Sequence, residues 1–143
     1  MIELLKEELS KVFGDISWEK VKEVKGDFSC QIPEIVICMG VRGRRELVIA
    51  FSKSLIVKRV SQKMGCDDAL VSEKEIINEA KALAVSLVRP MENEVIPYPA
   101  VLKGSLMELT IHKAILDACC GKARDGLVFI GIVEPMVENP STL

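Results

Sequence analysis

A chain of 143 residues, 49% of them hydrophobic, has the length and the apolar material for one domain with its own core, spanning residues 1–143. A net charge of −2 with acids and bases interspersed, and an aromatic set of one Trp, one Tyr and four Phe, leave neither a basic footprint nor a stacking surface for nucleic acid. Acidic Glu3, Glu7 and Glu8 exclude a secretory leader, no run of about 18 apolar residues is present to span a membrane, and an odd set of cysteines without CxxC spacing reads as reduced thiols rather than zinc ligands. A cytoplasmic protein is expected.

In chain order, Ile2, Leu5, Leu9, Val12 and Phe13 form a helical stripe that Gly14 ends. Residues Trp18 to Lys25 alternate loosely and fit a first strand, followed by a turn at Gly26 and Asp27. Ile35–Met39 and Glu46–Phe51 are β-branched runs joined by Val41-Arg42-Gly43-Arg44-Arg45, a hairpin in which Gly43 takes the positive φ and the arginines are solvated. Ser52 is placed to cap a helix from Lys53 to Met64 with Leu55, Ile56, Val60 and Met64 on its apolar face. After the break at Gly65-Cys66-Asp67-Asp68, Ser72 and Glu75 have capping-box spacing at the start of a helix that runs to Val88 or Arg89, where Pro90 stops it.

Tyr98–Gly104 reads as a strand entered through proline. Met107, Leu109 and Ile111 alternate, and the alternation then shifts to Ala114, Leu116 and Ala118. One bulged strand from Met107 to Cys120 fits this, with a short helix over Lys113–Cys120 as the alternative. Gly121–Gly126 reads as a turn and Leu127–Val133 as the last strand. The fold class is α+β, a mostly antiparallel sheet with long helices packed on one face.

The candidate chemistry lies in the helix after Ser72. At 100° per residue, Ile76, Ile77, Ala80, Leu83, Ala84, Leu87 and Val88 gather on one side. Glu75, Asn78 and Ala82 fall on the other, spaced i, i+3, i+7. A carboxylate and a carboxamide thus stand one turn apart beside a residue small enough to admit another molecule. His112, the single histidine, has no partner motif and reads as structural, and Cys119-Cys120 on a strand point to opposite faces.

The order strand, helix, Asp67-Asp68, Glu75-Ile76-Ile77-Asn78, then Pro99-Ala100-Val101-Leu102-Lys103-Gly104 resembles the CheX family of chemotaxis phosphatases, related to CheC and to the middle domain of flagellar switch proteins. The resemblance covers residues 30 to 134 and is sharpest over Val71–Gly104. It implies a CheC-like fold and a phosphatase acting on an aspartyl-phosphorylated, CheY-like response regulator. Asn78 would orient a water against the acyl phosphate. Glu75 would pair with the regulator's lysine, with Glu79 and Ala82 beside it at the docking surface. The domain would need no cofactor of its own, the Mg2+ belonging to the regulator. The chain departs from the family where Glu79 and Lys81 follow the Asn and Ala82 takes the place of a Gly. A non-catalytic module docking a signalling or motor protein is the alternative. A homodimer is expected, both from the resemblance and from an apolar sheet edge placed at Met107–Cys120 and Leu127–Val133.

Overall fold

Two uninterrupted apolar runs sit at the middle of the structure because both of their faces are covered. The computed structural model describes residues 1–21, 33–103 and 113–135. Helix α1 (Ile2–Phe13) leads to a short strand β1 (Ser17–Lys20). Strands β2 (Ile35–Val41) and β3 (Glu46–Phe51) form the arginine hairpin, and helices α2 (Lys53–Met64) and α3 (Glu73–Leu87) follow. Strands β4 (Val95–Lys103), β5 (Lys113–Ala123) and β6 (Gly126–Pro135) complete one sheet ordered β1-β5-β6-β3-β2-β4, in which every neighbouring pair is antiparallel.

Alternation within β2 and β3 divides the core in two. Ile35, Ile37, Met39, Leu47, Ile49 and Phe51 join Leu5, Leu9, Ile56, Ile76, Leu83 and Leu87 from the three helices. Val36, Cys38, Val48 and Ala50 form a second cluster with Ala118, Cys120, Phe129 and Val133 on the opposite face. The α+β class and the packing of the helices on one face are as expected.

Helices α2 and α3 run parallel. Ion pairs Lys53–Glu73 and Arg59–Glu79 both join residues twenty apart, so the two helices advance together. The Asp67–Val71 segment returns along α2 to make this possible, with Asp68 paired to Lys58 at 3.0 Å. Two expectations for α2 change. Ser52 is the N-cap by position, but its hydroxyl accepts from Leu127 N at 2.8 Å, and the free N–H of Lys53 donates instead to the Glu34 carboxylate at 2.6 Å. Met64, expected on the apolar face, is the last residue of α2 before the Gly65 cap and is 56% exposed.

The later strands need more correction. The segment Lys113–Cys120 is strand and not helix, with a register shift between Ile115 and Asp117 that makes Leu116 the bulged residue. Strand β5 also continues through the expected Gly121–Gly126 turn as far as Ala123, leaving a two-residue turn at Arg124 and Asp125. Gly121 serves a close approach instead: a Cβ there would lie 2.6 Å from Ile16 Cγ2 and 2.8 Å from Trp18 Cζ3. Gly121→Ala should therefore destabilise the fold by about 1–3 kcal/mol as Trp18 is displaced, read as a lower urea midpoint.

The sheet edge expected at β5 and β6 is not there. Strand β5 lies between β1 and β6, and β6 lies between β5 and β3. Among the described strands the outer ones are β1 and β4. Strand β4 begins earlier than expected, at Val95, and β1 ends at Lys20. Residues 22–25 of the predicted first strand, the turn at Gly26 and Asp27, Cys30, Gly104, Met107–Ile111, His112 and the tail from Asn139 lie outside the described residues.

Candidate active site on helix α3

The first turn of α3 is built by local chemistry. Ser72 Oγ accepts from Glu75 N at 3.2 Å, while Glu75 Oε1 accepts from Ser72 N at 3.2 Å and from Ser72 Oγ at 2.8 Å. This is the predicted capping box, and it satisfies helix-terminal donors that otherwise have no intrahelical partner. It also places Glu75 in a half-buried, fixed position rather than fully in solvent. Both bonds to the carboxylate end on Oε1, which leaves Oε2 without a described partner.

Asn78 follows one turn later, about 4.5 Å further along the helix axis. It is exposed, and its carboxamide makes no hydrogen bond to any described residue. Ala82 is exposed one turn beyond. The structure thus keeps Glu75, Asn78 and Ala82 on neighbouring lines of one helix, opposite Ile76, Ala80, Leu83, Ala84 and Leu87 in the core. Lys74 and Ser86 share the same exposed ridge, at i−4 from Asn78 and i+4 from Ala82. The sequence reading missed both, although their spacing places them there.

Glu79 departs from its expected place at a docking surface. It turns toward α2, where Oε1 accepts from Arg59 Nε at 2.7 Å and Lys63 Nζ at 2.6 Å, and 17% of its side chain is exposed. Partial burial pushes the Glu79 carboxyl up, but hydrogen bonds from Lys63 and Arg59 outweigh it and hold the group below the usual glutamate value. A depressed folded value means that this contribution to stability is present above the unfolded glutamate value. It is lost as pH falls through the folded one. Glu79→Gln should lower stability by about 0.5–1 kcal/mol at neutral pH, since Lys63 is well exposed and screened. The difference from the parent protein should shrink in urea titrations taken below pH 4.

No family model and no curated protein sequence matches the chain. Solved structures do. A chain of the FliM–SpeE complex from H. pylori superimposes with a TM-score of 0.55 at 11% identity, over 93% of this chain and 80% of that one. The chemotaxis protein CheX from Desulfovibrio desulfuricans superimposes with a TM-score of 0.52 at 12% identity, over 93% and 95% of the two chains.

The chain has a CheC-like fold.

At such identities the likeness to the CheX protein and to the chain of the FliM–SpeE complex is one of backbone architecture. In this CheC-like domain, α3 is one of the three helices packed on a single sheet face, and its ridge from Lys74 to Ser86 faces outward. Among the described residues, no helix is long and apolar enough to cross a membrane.

Proposed function

We propose that the domain presents the α3 ridge to a phosphorylated receiver domain and speeds hydrolysis of its aspartyl phosphate. The observation that carries this reading is the exposed Asn78 carboxamide, bonded to no described residue, one turn from the fixed Glu75 carboxylate. An acyl phosphate is reactive enough that holding a water in line with the P–O bond supplies most of the required assistance. A carboxamide can accept from that water and donate to a phosphoryl oxygen without changing its own protonation state. Water attacks phosphorus, the bond to the aspartyl oxygen breaks, and inorganic phosphate leaves. Glu75, held through Oε1 by Ser72, offers Oε2 to a lysine ammonium of the partner, and small Ala82 lets the partner's backbone come close. Magnesium, in this reading, is bound by the receiver domain. Likeness in fold to a chemotaxis protein and to a flagellar complex supports a setting in chemotaxis or motor signalling.

A second reading rests on the capping box itself. Glu75 is in the first turn and already committed to Ser72, an arrangement that serves the helix whether or not a partner arrives. A non-catalytic docking module would keep the same ridge and release no phosphate. Release of inorganic phosphate from phosphorylated receiver domains, with and without the protein, separates the two: acceleration supports catalysis, and an unchanged rate with a detectable complex supports docking alone. Glu75→Lys sets like charge against the partner's lysine and should weaken the complex by about tenfold, as for truncation of one member of a charge pair. Equal affinity for the variant would reduce Glu75 to its capping role.

A further inference from the structure

At the end of the sheet where α3 finishes, the β2–β3 hairpin carries Arg42, Arg44 and Arg45, all exposed and none bonded through its side chain to a described residue. Among the other described cations, Lys6, Lys11, Lys53, Lys58, Arg59 and Lys63 each pair with a carboxylate, while Lys20, Lys74, Lys81, Arg89, Lys122 and Arg124 have no described ion pair and are spread over several elements. The hairpin backbone is held on both sides, with Val41 N donating to Arg45 O at 2.9 Å and Arg42 N to Glu94 O at 3.0 Å. Glu92 and Glu94 are exposed on the adjoining turn, yet neither forms an ion pair with the hairpin.

An apolar contact point lies beside the arginines. Ile96, 56% exposed, is the β4 partner of Gly40, and with no side chain at Gly40 its flank stays open. Arg42 lies two residues beyond Gly40, about 7 Å along the strand. Strand β4 is an outer strand among the described residues; residues 97–100 bulge opposite Met39, and Pro97 and Pro99 donate no backbone N–H.

We propose that the hairpin tip and Ile96 form a docking surface for a short acidic segment of a protein partner, with carboxylates bound by Arg42, Arg44 and Arg45 and one aliphatic side chain laid against Ile96. Guanidinium forks match carboxylates in a bidentate manner. A fixed backbone reduces the entropy lost on binding. Charge decides among occupants: a chain of net charge −2 is not drawn to an extended polyanion, whereas three arginines on one turn match a local cluster of carboxylates.

The test uses the full chain and a fluorescein-labelled octapeptide of seven glutamates and one leucine, followed by anisotropy. Binding should weaken with salt, and the R42A/R44A/R45A variant should lose about tenfold or more in affinity together with most of the salt dependence. I96S should lose a few-fold, on the order of one buried aliphatic contact, with the salt slope kept. K11A/K20A/K122A removes the same charge elsewhere and should bind like the parent protein.

No binding by the parent, equal binding by the hairpin variant, or an equal loss in the lysine control overturns the proposal. So does hairpin-dependent preference for phosphatidylglycerol vesicles or a DNA duplex over the peptide. A two-chain mass by light scattering that I96S reduces to one chain would make a second copy the occupant and also overturn it.

Discussion

Asn78→Ala should abolish nearly all of the stimulated phosphate release while leaving the fold intact. The loss should be on the order of a hundredfold, the scale for removing one group that positions a reactant in the transition state. The fold should survive because Asn78 is exposed, makes no side-chain bond to a described residue, and sits where Ala is the better helix former. Circular dichroism and a urea midpoint at or slightly above the parent value would confirm that the protein is folded. Turnover close to the parent rate in that folded variant would remove Asn78 from the mechanism.

Phe51→Ala should destabilise the domain more than Gly121→Ala or Glu79→Gln. Phe51 is fully buried at the end of β3, its ring centroid lies 6.2 Å from that of Phe13 in α1, and the chain enters α2 directly after it. The substitution removes an aromatic side chain where the sheet meets two helices and should destabilise the domain by about 3–5 kcal/mol. That is a large share of the roughly 5–15 kcal/mol by which domains are stable. Urea unfolding reads it directly, and a loss below about 1 kcal/mol would mean that the helices do not depend on this contact.

The parts of the fold legible in the sequence are those fixed by near neighbours. Ser72 and Glu75 lie three residues apart and recognise each other across one turn, so the start of α3 could be placed from spacing alone. Ile35–Met39 and Leu47–Phe51 are apolar throughout because two core clusters cover them, which makes their strand character plain. What was not legible depends on residues distant in the chain. Gly121 resembles a turn residue, and only the approach of Trp18, paired with it across β1 and β5, explains why it belongs in a strand. Ser52 has the chemistry of a helix cap, but Leu127 takes its hydroxyl and Glu34 serves the helix instead.

The sheet edge was misplaced for the same reason. The apolar character of β5 and β6 reflects their interior positions, and strand order is a long-range property that alternation does not encode. At the candidate site, the helix projection placed Asn78 and Ala82 correctly. The resemblance set Glu79 at the docking surface, whereas its carboxylate is taken by Arg59 and Lys63 on the parallel neighbour α2.

Amide chemical-shift mapping addresses the central claim most directly. The isotope-labelled protein would be titrated with a receiver domain held in its phosphorylated-like state by beryllium fluoride. The α3 ridge predicts shifts centred on Lys74, Asn78, Ala82 and Ser86, absent when the receiver domain is unactivated. Shifts confined to α1 and β1, with the α3 amides unmoved, would contradict it.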